Sequence, residues 1–172
     1  EEAEQYLRKG LELIGDWEIS HFFGLSTTLA RVLIAQGDIN EATEWMHEAE
    51  NLAAQFDTTT MDDFIVGCRI AQLKLLIGNL DDVKEWKKSS HIFDQNSYQQ
   101  THRFSIFYSP FQELYSLTHA WLLLYEGEIE NAIAQLEKLY CNVNSQYLDD
   151  FTIQYAVLLA VAYDKKKDRQ TA

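Results

Sequence analysis

The chain has 172 residues, a formal net charge of −13 and 47% hydrophobic residues, which is enough apolar content to bury a continuous core. Its negative charge argues against a nucleic-acid-binding surface, because a duplex would repel it. No apolar run approaches the roughly 18 to 20 residues of a membrane span, and the acidic first residues are unlike a signal peptide. We therefore expect a cytoplasmic globular protein that contacts neither nucleic acid nor membrane directly.

One spacing of residues occurs four times along the chain. An alanine stands seven residues before a glycine, which the fourth copy replaces with lysine, and a further apolar residue stands five after it, as in Ala30, Gly37 and Ala42. The other copies start at Ala71, Ala120 and Ala160, so the interval is 40 to 49 residues. Internal repetition on this scale predicts a solenoid of two-helix repeats.

When the four copies are aligned, each column, that is, each position that the copies share, has a structural reason. The alanine predicts close packing of the first helix, helix A, against a neighbouring helix. The glycine predicts the end of helix A, because it adopts the left-handed conformation that commonly follows a helix. The acidic or amide residue after it, such as Asp38, suits the start of helix B. The fourth copy has Lys167 in place of the glycine and is therefore expected to be the least regular.

The apolar periodicity predicts helices over 1–14, 17–36, 40–56, 61–77, 81–89, 111–126, 130–143 and 148–163. We expect an all-α fold, a right-handed superhelix of antiparallel helix pairs. It forms one domain over 1–172, with repeats of about 1–16 (partial), 17–57, 58–108, 109–146 and 147–172 (partial). The periodicity lapses over 89–110, and the aromatic content of this long connection predicts that it packs on the solenoid. The absent initiating Met and the end at Ala172, where a helix B should begin, indicate a piece excised from a longer protein.

The sequence carries no recognisable catalytic motif. It has no Gly-rich phosphate loop and no Gly-x-Ser-x-Gly or His-Glu-x-x-His pattern, and its five histidines are scattered. We therefore predict no enzyme activity, no cofactor and no metal site. Cys68 and Cys141 are expected to be free, buried thiols, with a disulfide between them as the alternative. The basic run of Lys165, Lys166 and Lys167 is expected to be a solvated connection at a repeat boundary.

The residues that differ between repeats indicate where a ligand binds. Six residues before the glycine, the copies have Arg31, Gln72, Trp121 and Val161, and the polarity of this column predicts an exposed face of the A helices. In solenoids the inner face of successive A helices is the usual binding surface. An imidazole, His119, stands where the other copies have an aliphatic residue, although a half-buried packing role is the alternative for it and for the aromatic residues. The candidate binding residues are Arg69, Gln72, Tyr108, Tyr115, His119 and Trp121.

Stretches 29–42 and 121–132, together with the long connection before the third complete repeat, resemble the MalT-like repeat region of large ATP-dependent LuxR-type transcription regulators. The resemblance covers nearly the whole chain. It implies a tetratricopeptide-like superhelix between an amino-terminal nucleotide-binding module and a carboxy-terminal helix-turn-helix, with a part in sensing an inducer. No ATP-binding or DNA-binding motif of that family has a counterpart here, so neither activity is expected of this chain.

Two functional hypotheses follow. In the first, the chain is the sensor or protein-interaction domain of a bacterial regulator, and it binds a small-molecule inducer or neighbouring modules of its own protein. In the second, it is an adaptor scaffold that holds a peptide or protein partner in the groove of the solenoid.

Overall fold

The computed structural model describes residues 1–14, 19–55, 60–89, 109–142 and 150–171. Over these ranges the chain forms helices and short turns and has no β-strand, which confirms the predicted all-α helical-repeat fold. The eight helices within these ranges are α1 (Glu2–Leu13), α2 (Ile19–Gln36), α3 (Ile39–Gln55), α4 (Thr60–Leu76), α5 (Leu80–Ser89), α6 (Ser109–Glu126), α7 (Ile129–Asn142) and α8 (Asp150–Thr171).

The predicted glycines end α2, α4 and α6. Gly37 has a φ of 90°, and Gly78 and Gly127 have φ angles of 80° and 81°. After Gly37, the N–H of Asp38 donates to the carbonyl oxygen of Leu33 at 2.9 Å, and the same bond closes the other two helices. This is the hydrogen bond of a Schellman cap, which satisfies a carbonyl that the helix leaves unpaired. The Asp38 carboxylate then accepts a hydrogen bond from the N–H of Glu41 at 3.2 Å, so the acidic residue caps the following helix as predicted.

The chain forms two compact units, an N-terminal unit (Glu1–Trp86) and a C-terminal unit (Lys87–Ala172). In the N-terminal unit, α2 packs against α1, against its own helix B (α3) and against the next helix A (α4). In the C-terminal unit, α6 packs in the same way against α7 and α8. Buried alanines at the repeat positions permit this close packing, since Ala30, Ala71 and Ala120 are all almost fully buried.

The fourth copy lacks the glycine joint of the other three, as expected of the least regular repeat, but its helix is longer than predicted. Helix α8 continues through Lys167 to Thr171 instead of ending near residue 163, because a lysine favours the helix and does not readily adopt the left-handed conformation of a cap. Ala160 is exposed rather than packed, since Tyr155, Leu158 and Ala162 provide the buried face on the opposite side of α8. The basic run that includes Lys167 therefore lies on a helix and not in a connection.

The two cysteines are free thiols, as expected, but their environments differ. Cys68 lies in α4 and is fully buried, and burial raises the pKa of its thiol. Cys141 is exposed near the end of α7, contrary to the prediction that both are buried. It lies away from the buried face of α7, which Ala132 and Leu136 form.

Candidate functional site

A polar contact joins the A helices α2 and α4 of the N-terminal unit. Arg31 donates from Nη2 to Oε1 of Gln72 at 3.3 Å, which links equivalent positions of two successive repeats. Gln72 is only 1% exposed, so the expectation that this column forms an exposed face is wrong for this residue. The reason is the packing of α2 on α4, which buries the Gln72 amide while the Arg31 side chain stays exposed. A buried amide oxygen needs a donor, and Arg31 supplies one.

Arg69 lies one helical turn before Gln72 on α4 and is partly buried. Its pKa lies below its ordinary value, because burial disfavours the charged guanidinium and because the positive charge of Arg31 is close by. The guanidinium nevertheless stays protonated, since its ordinary pKa is far above neutral pH. The structure therefore brings together two of the predicted residues, Arg69 and Gln72, and adds Arg31 to them.

These two arginines differ from other cations of the same unit. Arg8 contacts two carboxylates, at 2.7 and 2.9 Å, and Lys74 contacts two others, at 3.0 and 3.3 Å. Within the five described ranges, neither Arg31 nor Arg69 forms an ion pair. The face shared by α2 and α4 consequently carries two positive charges that no described carboxylate neutralises.

A second polar cluster lies in the C-terminal unit and connects α6 to its own helix B, α7. His119 Nδ1 lies 2.9 Å from Oε1 of Gln135, and Gln135 Nε2 donates to the backbone oxygen of Ser116 at 2.7 Å. Because the Gln135 oxygen accepts, Nδ1 of His119 carries the proton. Tyr115 lies one turn earlier, with its ring parallel to the imidazole and the ring centroids 6.2 Å apart. Burial lowers the pKa of His119, which favours the neutral imidazole.

The remaining predicted site residues do not join these clusters. Trp121 is partly buried and packs against the core of the C-terminal unit. It stands two residues after His119, and residues two apart lie on different faces of a helix. Tyr108 lies outside the described residues.

Sequence reasoning missed two members of these clusters. Arg31 stands in the same repeat column as Gln72, so its partner could have been found by pairing equivalent positions of adjacent A helices. Gln135 had no such signal, because its contact with His119 depends on how the two helices of one hairpin are rotated about their axes.

A mostly apolar cleft of about 210 Å³ lies on the other side of α4, towards α3 and α5. The lining residues are Glu50, Ala53, Val66, Gly67, Ile70, Ala71, Lys74 and Trp86. A Cβ atom at Gly67 would lie 2.7 Å from Nε1 of Trp86, so the glycine allows the indole of α5 to pack onto α4. The Lys74–Glu50 ion pair also borders this cleft.

Neither a metal-binding cluster nor a membrane-spanning helix occurs among the described residues. No group of three or more His, Cys, Asp or Glu side chains in this part of the chain could hold a metal ion. None of the helices described here combines the length and apolar character needed to cross a membrane.

Comparison with known proteins supplies the family. Neither the curated proteins nor the solved structures include a match to this chain. A family model described as the MalT-like TPR region matches residues 1–172. The repeat joints and the packing of successive A helices are those of a tetratricopeptide-type array, and the match extends over all 172 residues. The chain therefore belongs to the MalT-like TPR region family.

Proposed function

We propose that this chain is the sensor or protein-interaction domain of a bacterial, cytoplasmic LuxR-family transcription regulator. It binds an inducer or neighbouring modules of its own protein and relays the bound state to them. The domain itself carries out no catalysis, in keeping with the scaffold role that helical-repeat domains generally have. The observation that carries this proposal is the match of the whole chain to the MalT-like TPR region.

The packing of the A helices supports a relay mechanism. A ligand that touches both α2 and α4, or both α6 and α8, contacts two helices that pack directly on each other. Such a ligand shifts the equilibrium between two arrangements of the helices only by the difference in its affinity for them. The Arg31–Gln72 bond is a contact of this kind, because it spans α2 and α4 and would change if their separation changed.

A thermal-shift screen of the chain against sugars, short peptides and metabolites tests the sensor role. A ligand present at a hundred times its dissociation constant adds about 2.7 kcal/mol of stability, which is a readily visible rise in Tm. The screen is repeated with Arg69→Gln and with His119→Leu. A hit lost only with Arg69→Gln assigns the ligand to the N-terminal unit, and a hit lost only with His119→Leu assigns it to the C-terminal unit.

The second test uses the whole regulator. If the proposal is correct, the gene encodes a nucleotide-binding module upstream and a helix-turn-helix downstream, and a hit from the screen changes transcription from a reporter. Flanking sequence without these modules would refute the regulator role. If no small molecule in the thermal-shift screen raises Tm and a peptide binds, the result would support the adaptor alternative instead.

A further inference from the structure

We propose that Arg31 and Arg69 form a binding site for an oxyanion group, a carboxylate or a phosphate, carried by a ligand on the A-helix face of the N-terminal unit. The inference rests on the proposed function in one respect, namely that this face binds a ligand. Its geometric basis is the Arg31–Gln72 bond between α2 and α4, with Arg69 one turn from Gln72.

The balance of charges favours an anion at this position. The chain has 27 acidic and 14 basic residues, so carboxylates are abundant, and yet none of the described ones pairs with either arginine. Arg8 and Lys74 show that cations of this unit do acquire carboxylate partners from neighbouring helices. Two guanidinium groups that lie close together also repel each other, and one of them is partly buried. A bound oxyanion would offset both the repulsion and the loss of hydration.

The chemistry of arginine fits an oxyanion better than a neutral ligand. A guanidinium presents five N–H donors in a planar fork that matches the oxygens of a carboxylate or phosphate. Arg31 uses Nη2 for Gln72, and within the described ranges it makes no further hydrogen bond. Because Gln72 is buried, its oxygen holds one corner of the guanidinium, and the other Arg31 donors, which meet no acceptor in the described ranges, are left for a ligand.

The site is specific to this pair of repeats. At the positions of Arg69 and Gln72, both A helices of the C-terminal unit have uncharged residues, namely Thr118 and Trp121 in α6 and Leu158 and Val161 in α8. Thr118 also bonds to its own helix, at the Leu114 oxygen. A ligand held by an oxyanion should therefore bind the N-terminal unit once and have no equivalent position in the C-terminal unit.

Nuclear magnetic resonance of the arginine Nε–H groups tests the proposal directly. The ¹⁵N-labelled chain is titrated with sodium succinate and, separately, with sodium phosphate, each compared with sodium chloride at equal ionic strength. We expect saturable shifts of the Arg31 and Arg69 signals with at least one of the two oxyanions. A response to succinate alone identifies a carboxylate site, a response to phosphate alone identifies a phosphate site, and a response to both identifies a general oxyanion site.

Variants show whether the binding belongs to the two arginines. Arg69→Gln and Arg31→Gln should each weaken the binding by about tenfold or more, since each removes a charge-assisted contact. Lys9→Gln is the matched control, because it removes one exposed positive charge from α1, and it should leave the affinity within about twofold. Arg31 is exposed, so its variant remains informative if the partly buried Arg69 proves necessary for folding.

Three results would overturn the inference. They are shifts no larger than those with chloride, shifts that fail to saturate, and an equal loss of binding in Lys9→Gln. The outcome is separable from that of the proposed function. A library ligand that binds and switches the regulator without any oxyanion response refutes this site alone, whereas an oxyanion that binds a protein lacking the regulator modules refutes the proposed function alone.

Discussion

Leucine in place of Ala120 should destabilise the C-terminal unit. Ala120 lies on α6, is 0% exposed and belongs to a core cluster that includes Ala132 and Leu136 of α7. Leucine adds three carbon atoms at a position with no room for them, which forces neighbouring side chains or helices to move. Overpacking of this kind costs about 1–3 kcal/mol.

Ala160 provides a control at the same position of the repeat. It is exposed on α8, so Ala160→Leu adds the same atoms facing away from the core and should change stability by no more than about 0.5 kcal/mol. Ala120→Leu and Ala160→Leu thus make the same chemical change with opposite expectations. The difference between them measures burial and excludes any general effect of leucine on helix propensity.

Far-ultraviolet circular dichroism, recorded during heating and during urea titration, measures the unfolding of both variants. For a chain of this length, a loss of about 2 kcal/mol lowers Tm by about 4–8 °C. We expect that shift for Ala120→Leu and almost none for Ala160→Leu. An unchanged Tm for Ala120→Leu, or equal losses in both variants, would mean that the buried face of α6 is assigned wrongly.

Three further predictions concern the glycines and His119. Gly127→Ala should cost about 1–2 kcal/mol in urea unfolding, because an L-residue is strained at a φ of 81°, and an unchanged midpoint would contradict the cap. Gly24→Ala should stabilise α2 by about 0.5–1 kcal/mol, since a Cβ atom there meets no atom within 4 Å. Gly67→Ala should lack this gain, because its Cβ atom would lie 2.7 Å from Nε1 of Trp86. Equal gains in stability in the two variants would disprove the contact between Gly67 and Trp86. Burial lowers the pKa of His119 in the folded chain, so the unfolded chain binds a proton at this imidazole at a higher pH than the folded chain does. The folded state therefore loses stability relative to the unfolded state as the pH falls through about 6.5. The stability of the wild type relative to His119→Asn should therefore decrease between about pH 8 and pH 5, and a constant difference in urea titrations would refute the assignment.

Local signals in the sequence predicted the helix joints well. The Gly37 joint has the expected left-handed glycine and acidic cap, and α3 begins and ends within a residue of its predicted bounds. Such features depend on contacts between residues close in sequence, and the same chemistry recurs in each repeat. At Lys167, where the glycine is missing, the predicted end of the helix near residue 163 was wrong, because α8 continues to Thr171.

Burial was harder to predict than helix position. Ala120 and Ala160 share a repeat position, but one is buried between helices and the other is exposed. Gln72 looked like a surface residue from its polarity, and the packing of α2 on α4 buries it. A repeat pattern identifies which face a residue lies on, but the neighbouring helices determine whether that face is covered.

The candidate site shows the same distinction between repeated and unrepeated residues. The alanine and glycine columns recur because every repeat needs close packing and a left-handed cap, and such residues provide no charge for a ligand. The column that contains Arg31 and Gln72 continues with Trp121 and Val161, so its chemistry changes from one repeat to the next. A binding site made from such a column belongs to one pair of adjacent A helices. In the N-terminal unit that pair is α2 and α4, and because the Arg31–Gln72 bond already joins them, any ligand that binds Arg31 and Arg69 would bear directly on how these two helices pack.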